Sequence, residues 1–574
     1  MRDKTQYTMR RPYTRQFYRG NRTAYCVMLL SSALISILNL AVAWLIQQII
    51  DAVSGQPGAL GIGALTSLTV GVILLIIPIK ALDYMSSPRF IQKAMTQFKG
   101  CAFKRLVQKN IASFRSEATS TYLSAFSNDM AAIEVNFLEK QYMLVFNIVW
   151  AAGAMILMLA YSPVLALVAI GFFILPIIAS MMTGVHLEKA EKAVSDRNAD
   201  FVTTLKDVLS GFSVIKSFQA EDAALGLLGQ NSAAVEAAKC RRRKINTVLS
   251  AIGGIAGITA QLGTFLIGAI MAISGWGITP GVLMLFINLT GAVINPIREM
   301  PELFANRKAA AALIDKMVLS LGSNIRDEGA DIPTQLDKGI SIHHLSFGYE
   351  QGNEILHDID VCFEAGKSYA IVGSSGSGKS TLLNLLMAAH HGYTGTICFD
   401  GSELRKISGR SLYELVSMIE QNVFVFDASI RENITMFRDF PAADVDDAIA
   451  LSGLSELIAQ HGEDYQCGEN GRGLSGGEKQ RISIARSLLQ KSSVLLADEA
   501  TAALDAQTAY QVTSDILKLD GITRIIVTHA LVGSLLRQYD GIIVLKDGRI
   551  VENGTFEDLM EQKGYFYALY TIAQ

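Results

Sequence analysis

The chain of 574 residues is half hydrophobic and only 18% charged, and its mean hydropathy is +0.31. A chain this long exceeds a single hydrophobic core, so we expect two or more domains. The net charge of −3 gives no indication of nucleic-acid binding. Because the hydrophobic excess lies in the first half of the sequence, the two halves are predicted to occupy different solvents.

The chain begins with a basic segment, residues 1–23, in which aromatic side chains are interleaved. Such a segment, just before an apolar run, is typical of an interfacial helix on the cytoplasmic face of a membrane. The same charges also fit the positive flank that orients a first span, and the two interpretations are compatible. A cleaved signal peptide fits less well, because the apolar run that follows is too long. The charges are Arg2, Lys4, Arg10, Arg11, Arg15, Arg19 and Arg22 against one acid, Asp3.

Six long apolar runs follow and predict a helical transmembrane domain over residues 24–302. Each run is about long enough to cross a hydrocarbon layer roughly 30 Å thick. The short connections between runs contain no Lys or Arg, whereas the long connections 85–139 and 185–247 contain many. This asymmetry predicts that the long connections and both termini face the cytoplasm. The runs lie near 24–50, 61–84, 140–161, 163–184, 248–275 and 279–297.

The long cytoplasmic connections are rich in Ala, Lys, Glu and Leu, which predicts helices that extend beyond the bilayer. Pro296 and Pro301 are expected to close the last span. Residues 303–337 then form a more polar predicted linker. From residue 338 to 574, short strands alternate with helices, so the expected fold is an α-helical membrane domain followed by an α/β phosphate-loop domain.

The stretch Gly373-Ser-Ser-Gly-Ser-Gly-Lys-Ser-Thr381 fits the pattern of a phosphate-binding loop, or Walker A motif. A predicted buried strand precedes it and a predicted helix follows it, as the motif requires. Its glycines allow backbone N–H groups to surround a phosphate at the positive end of the helix. The lysine can reach the β- and γ-phosphates, and the serine after it can ligate Mg²⁺. The predicted nucleotide-binding residues of the loop are Gly373, Ser374, Gly376, Ser377, Gly378, Lys379, Ser380 and Thr381.

Two acids end a second apolar stretch, Val494-Leu-Leu-Ala-Asp-Glu499. In phosphoryl-transfer sites one such acid holds Mg²⁺, and an adjacent carboxylate can polarise an attacking water. Asp498 and Glu499 suit these two roles. His529 ends another apolar strand at the same predicted sheet edge, where contact with a γ-phosphate is favoured over a purely structural role.

Two further features suggest contacts with a nucleotide. Leu474-Ser-Gly-Gly-Glu478 precedes an apolar helix, so the Ser475 hydroxyl and the N–H groups of Gly476 and Gly477 form a second candidate anion site. Its separation along the sequence leaves open how it relates to the phosphate loop. Tyr349 supplies an aromatic ring that can stack on a purine.

Taken together, these pieces closely resemble the ATP-binding-cassette transporters, and the sequence Leu474-Ser-Gly-Gly-Glu478 is the most specific of them. The resemblance implies that Tyr349 stacks on adenine, that Gln421 belongs to the Q-loop and that Asp505 belongs to the D-loop. It also implies that His529 is the switch histidine. The membrane half is similar to the exporter type, in which six spans precede one cassette.

The resemblance implies two cofactors, ATP and Mg²⁺, and a partner subunit. Two cassettes would pack head to tail, so that ATP on Lys379 of one copy touches Ser475 and Gly477 of the other. A homodimer is expected because this one chain contains the full set of groups. The implied catalytic residues are Glu499, His529 and Gln421, and the implied metal-binding residues are Ser380, Gln421 and Asp498.

The family resemblance leaves direction and substrate open. Export of an amphipathic or hydrophobic compound (a drug-like molecule, a lipid or a peptide) is the first hypothesis, and import of a siderophore-like ligand is the alternative. A soluble cassette ATPase acting on nucleic acid is excluded by the six spans, and an ATP-gated channel is rare in the family. Expected partners are a second half-transporter, membrane lipid and the transported molecule. Two small departures from the family pattern are Glu420 before the Q-loop glutamine and Ala530 after the switch histidine.

Overall fold

The structure, a computed structural model, describes residues 10–115, 117, 119–322, 329–349 and 353–573. The chain divides into two compact units. Unit 1 takes its described residues from Met1–Lys104 and Ser120–Leu321, and unit 2 takes its described residues from Arg105–Thr119 and Gly322–Gln574. A short segment from the first half of the chain is therefore part of unit 2.

The first half of the chain folds into long helices, since apolar segments in lipid must satisfy their backbone polar groups internally. The fifth helix starts sharply because Ser162 caps it, accepting a hydrogen bond from Leu165 N at 3.3 Å, and Pro163 occupies its first turn. The fourth helix contains two π-helical stretches, Ala125–Asp129 and Glu134–Glu139. The helices are α1 (Arg22–Val53), α2 (Ile62–Val107), α3 (Ile111–Arg115, in unit 2), α4 (Thr121–Tyr161), α5 (Pro163–Ser210), α6 (Phe212–Ser217), α7 (Glu221–Ile273) and α8 (Pro280–Gly322).

Among the described residues, five helices are long and apolar enough to cross a membrane, namely α1, α2, α4, α7 and α8. The first part of α5, Pro163–Ile178, is a shorter apolar helix. Each of the six apolar runs predicted from the sequence corresponds to one of these helices. The predicted helical membrane domain is confirmed.

The structure corrects one expectation about the last span. Pro296 and Pro301 do not close it, because α8 continues through both residues to Gly322. A proline inside a helix removes one backbone hydrogen bond, but membrane helices tolerate this where local adjustments and neighbouring groups satisfy the freed carbonyl. The first part of the predicted linker, residues 303–337, is therefore helical.

Buried polar side chains in unit 1 bind one another across helices, as expected for polar groups in spans. Gln47 is 3% exposed, donates to Asp51 Oδ2 at 2.5 Å and accepts from Tyr161 OH at 3.1 Å. Asp51 also accepts from the backbone N–H of Gly281, at 3.0 Å, in the first turn of α8. These contacts join α1 to α4 and α8.

Unit 2 contains the strands and helices of the second half of the chain. The strands are β1 (Gly339–Phe347), β2 (Leu356–Glu364), β3 (Ser368–Gly373), β4 (Thr394–Phe399), β5 (Ser402–Glu403), β6 (Val416–Ile419), β7 (Val494–Asp498), β8 (Thr523–Val527), β9 (Gly541–Lys546) and β10 (Arg549–Gly554). The helices are α9 (Lys379–Leu386), α10 (Gly409–Leu415), α11 (Ile430–Thr435), α12 (Ala442–Leu451), α13 (Ser455–His461), α14 (Gly476–Leu489), α15 (Ala506–Leu517), α16 (Gly533–Leu536), α17 (Phe556–Gln562) and α18 (Tyr565–Ala573).

The strands form two sheets. One is antiparallel with the order β2-β1-β4-β5, and the other has the order β10-β9-β3-β8-β7-β6. In the second sheet the five strands from β9 to β6 are parallel, and β10 pairs with β9 in the antiparallel sense at the edge. Parallel strands deliver their carboxyl ends to one edge, where ligands bind in such folds.

The parallel sheet separates two hydrophobic cores, and alternate residues of each central strand face opposite cores. In β3, Ile371 packs in a core shared with α9 and the antiparallel sheet, whereas Ala370 and Val372 pack in a core shared with α14, α15 and α17. A third core joins α11, α12 and α13 to the other face of α14, with Ile430 and Ile482 at its centre. Burial on both faces explains why the central strands are almost continuously apolar.

Candidate active site

The phosphate loop leaves β3 at Gly373 and enters α9 at Lys379. Gly376 and Gly378 have φ values of 80° and 100°, which lie in the left-handed region that favours glycine. A Cβ on Gly378 would lie 2.6 Å from Leu356 Cδ2, so the loop also packs too closely for a side chain there. This geometry allows the loop to turn its N–H groups toward one anion at the start of a helix.

The lysine of this loop is held in a buried position. Lys379 is 5% exposed, and its Nζ donates to Gly373 O at 3.0 Å and to Ser374 O at 2.8 Å. Burial lowers the pKa of the Lys379 ammonium, whereas the nearby carboxylates of Glu499 and Asp498 oppose that shift. Ser377 Oγ is buried beside it with no hydrogen-bond partner among the described residues. The loop therefore has unused donor capacity, which fits an anionic ligand.

Asp498 ends β7 directly opposite the start of α9. Ser380 Oγ donates to Asp498 Oδ1 at 3.0 Å, and Asp498 is 5% exposed. Burial raises the pKa of Asp498, and the hydrogen bond from Ser380 offsets part of the shift. A hydroxyl and a carboxylate side by side are the oxygen donors that Mg²⁺ prefers.

Glu499 lies one residue beyond the strand, in a left-handed backbone conformation with φ 50°. Its Oε2 accepts from Gln421 Nε2 at 2.9 Å, and its Oε1 lies 3.0 Å from His529 Nε2. These residues follow β6, β7 and β8, so the sheet topology brings together three side chains that are far apart in sequence. The backbone N–H of Glu499 donates to Val527 O at 3.1 Å, which fixes the turn beside β8.

Tyr349 lies beside the phosphate loop and is 54% exposed. Its hydroxyl is 3.2 Å from Thr381 Oγ1, and its ring contacts His390 edge-on with centroids 5.0 Å apart. Thr381, the third residue of α9, therefore holds the Tyr349 ring next to the phosphate loop. An exposed ring held in this way is available to stack on a base.

The second candidate anion site caps α14. Ser475 N donates to Glu478 Oε2 at 2.6 Å and Ser475 Oγ accepts from Glu478 N at 3.3 Å, which is a capping box. Asp505 caps α15 in a similar way, accepting from Thr508 N at 3.0 Å. Within the described part of one chain, no hydrogen bond or ion pair links Ser475 or Gly477 to the phosphate loop.

Two family models match the chain. One, described as the ABC transporter transmembrane region, matches residues 25–297, and the other, described as ABC transporter, matches residues 356–502. This chain belongs to the ABC transporter family.

Several ABC transporters are similar to this chain over most of its length. An uncharacterized ABC transporter ATP-binding protein of Sinorhizobium fredii is 25% identical over 96% of this chain and 94% of its own length. The ATP-dependent lipid A-core flippase of Pseudomonas syringae pv. tomato is 30% identical over 70% of this chain and 67% of its own length. The flippase of the same name from Desulfotalea psychrophila is 28% identical over 84% of this chain and 85% of its own length.

The structure of a bacterial Atm1-family ABC exporter with ATP bound has the same fold. It superimposes with a TM-score of 0.79 at 23% sequence identity, covering 96% of this chain and 98% of that chain. At this level of identity the likeness shows the fold, an exporter-type helical region followed by an ABC nucleotide-binding domain.

Sequence reasoning did not assign a role to Gln480 of this ABC transporter. Gln480 is 3% exposed on α14, its Nε2 donates to Glu499 O at 3.0 Å, and its Oε1 accepts from Ala503 N at 2.9 Å. It thereby ties α14 to the turn that carries Glu499. A glutamine between a lysine and an arginine gives no local signal of this contact.

Arg115, on α3, was also missed. Its guanidinium donates to Asn384 Oδ1 at 3.1 Å and lies 3.5 Å from Glu420 Oε1, the residue just before Gln421. The departure from the family pattern at Glu420 thus has an ion-pair partner in this ABC transporter. Arg115 and Ile111 line a cavity of about 360 Å³ together with Phe424 and other residues of unit 2.

Proposed function

We propose that this ABC transporter is an exporter-type half-transporter that moves an amphipathic compound of the lipid class across a membrane by alternating access. ATP hydrolysis is supported by the position of the Glu499 carboxylate. It is hydrogen-bonded to Gln421 and lies next to His529, at the sheet edge that holds the phosphate loop. The long apolar helices of the same chain support a membrane substrate. The names of the flippase relatives favour a lipid.

The side chains divide the chemistry of ATP hydrolysis among them. Lys379 and the loop N–H groups bind the β- and γ-phosphates, and Tyr349 stacks on adenine. Ser380, Asp498 and Gln421 would hold Mg²⁺, which would neutralise phosphate charge. Glu499 accepts a proton from the attacking water, and His529 contacts the γ-phosphate while orienting the Glu499 carboxylate.

A second copy of the chain completes each ATP site. The residues capping α14 and α15, Ser475 and Asp505, are exposed at helix N-termini and make no contact with the phosphate loop within the described part of their own chain. In a head-to-tail dimer, Ser475, Gly476 and Gly477 of one copy face ATP bound by the other. ATP binds the closed dimer better than the open one, so hydrolysis shifts the population between the two states.

The substrate and direction are tested in proteoliposomes that contain a nitrobenzoxadiazole-labelled phospholipid. With ATP outside, only transporters whose nucleotide domains face outward are active, and export predicts movement of labelled lipid into the inner leaflet, measured by protection from dithionite. A Glu499→Gln variant in matched vesicles should show none. Movement in the opposite direction would favour the importer, and ATP hydrolysis without any lipid movement would contradict a lipid substrate.

A further inference from the structure

The described residues before α1 pack onto unit 1 through one aromatic face. Tyr13 and Phe17 are 2% and 0% exposed. The Phe17 ring lies 4.7 Å from the Phe98 ring of α2 and 5.8 Å from the Phe137 ring of α4, measured between centroids. Tyr13 and Phe17, two of the aromatic side chains of the predicted interfacial helix, are therefore buried in protein and fix the rotation of the segment about its axis.

Polar contacts hold the same segment at both ends. Asn21 Nδ2 donates to Phe90 O at 2.8 Å, and Lys93 Nζ donates to Gly20 O at 2.6 Å, so its end is tied to α2. Arg10 lies 3.5 Å from Asp315 of α8. The segment is thus bound to three helices and has one outward face.

That outward face carries four arginines, Arg11, Arg15, Arg19 and Arg22, all exposed. Their side chains have no hydrogen bond or ion pair to any residue that the structure describes. The one acid between residues 10 and 60 is Asp51, near the other end of α1 and roughly 44 Å away at 1.5 Å per residue. Four positive charges are therefore gathered on a surface where no described acid forms an ion pair with them.

This surface lies at the edge of the hydrophobic part of the molecule. Arg22 is the first residue of α1, a helix long and apolar enough to cross a membrane. Tyr18 and Tyr25 form an aromatic cluster with Phe90, with centroids of neighbouring rings 5.0 Å apart for Tyr18–Tyr25 and for Tyr25–Phe90. Aromatic belts of this kind mark the boundary between hydrocarbon and water, where phospholipid headgroups lie.

We propose that Arg11, Arg15, Arg19 and Arg22 form a binding surface for anionic phospholipid headgroups. Guanidinium groups bind phosphate through paired, charge-assisted hydrogen bonds, and the bilayer supplies phosphate at this depth. The continuity with α1 favours membrane lipid over a soluble acidic partner. Each basic residue near an anionic membrane surface strengthens binding by about fivefold.

The binding surface is tested by native mass spectrometry of the full-length protein in detergent, titrated with phosphatidylglycerol and separately with phosphatidylcholine. The wild type should bind phosphatidylglycerol more tightly. Single Arg11→Gln and Arg15→Gln variants should each lower this preference by about fivefold, and replacing all four arginines by glutamine should remove most of it. Replacing all four by lysine should keep most of the preference, since the charge is retained.

A matched control removes four exposed positive charges from unit 2: Lys406, Arg410, Arg549 and Lys563, each changed to glutamine. This control should bind phosphatidylglycerol as the wild type does. Three results would overturn the proposal. The wild type could show no preference for phosphatidylglycerol, or the single and fourfold glutamine variants could keep the wild-type preference. The third is a loss of preference in the control as large as that in the fourfold glutamine variant. The assay requires no ATP hydrolysis, so its outcome is independent of the proposed transport activity.

Discussion

At the residue scale, the site is organised around the carboxylate of Glu499. One oxygen accepts from the amide of Gln421, and the other lies next to the imidazole of His529. The residue also adopts a left-handed backbone conformation, which costs free energy for a non-glycine residue and is common at functional sites. The surrounding hydrogen bonds hold this conformation, so the carboxylate is aimed before any ligand arrives.

We expect Glu499→Gln to retain ATP binding and to lose turnover by about 10²- to 10⁴-fold, because the amide can donate and accept hydrogen bonds but cannot take a proton. The measurements are steady-state ATPase rates and nucleotide binding by the purified protein, with the exposed Glu561→Gln as the matched control. Hydrolysis at the wild-type rate would remove Glu499 from the role of general base.

The exposed ring of Tyr349 is the residue-scale feature predicted to bind the base. Tyr349→Ala should raise the KM for ATP several-fold, since stacking contributes on the order of 1 kcal/mol. Tyr349→Trp should be tolerated. Tyr349→Phe, which loses only the contact with Thr381, should stay close to the wild type. If the alanine variant has an unchanged KM, the purine binds elsewhere.

At the scale of elements, one buried side chain connects two parts of the site. Gln480 of α14 bridges the backbone at Glu499 and Ala503, on the turn that follows β7. Because Ser475 caps the start of α14, the same helix links the second anion site to the catalytic turn. A change at one end of this helix can therefore be transmitted to the other through a direct contact.

Gln480→Ala should lower kcat with little change in the KM for ATP, because it frees the turn that carries Glu499 but leaves the phosphate loop intact. Losing these two partly buried hydrogen bonds should also cost about 1–3 kcal/mol of stability. The checks are ATPase kinetics and thermal unfolding, with Gln511→Ala on the exposed face of α15 as control. Wild-type kcat in a variant that is only less stable would leave Gln480 with a structural role alone.

At the scale of the whole molecule, the proposed dimer predicts that two different inactive variants can restore activity when they are paired. If each ATP site takes Lys379 from one copy and Ser475 from the other, a mixed dimer of Lys379→Ala and Ser475→Arg chains contains one doubly defective site and one intact site. Either variant alone has two defective sites. Mixed dimers, isolated through two affinity tags, should therefore recover ATPase activity above both parents.

The control for this complementation is a mixed dimer of two differently tagged Lys379→Ala chains, which should stay inactive. If Lys379 and Ser475 of the same copy formed each site, the mixed dimer of the two variants would be as inactive as its parents. A chain that remains monomeric, at 62.2 kDa, and hydrolyses ATP only with a different half-transporter would contradict the homodimer.

The sequence by itself determined the features that depend on local pattern. The six apolar runs predicted the long helices, because hydropathy over some twenty residues decides whether a segment can lie in lipid. The strand, glycine loop and helix around Lys379 were also predicted from local pattern. They are consecutive in the sequence, and the loop needs glycines that can adopt positive φ.

Only the tertiary structure decided how distant residues meet. The contacts of Glu499 with Gln421 and His529, and of Gln480 with Ala503, depend on strand order and helix packing, which no single segment encodes. The sequence also did not predict that α8 continues through its prolines. Local propensity disfavours proline inside a helix, and here the tertiary setting of the helix outweighs that propensity. Local patterns report a residue's own backbone and solvent, whereas a site is defined by which side chains the folded chain places within hydrogen-bond distance.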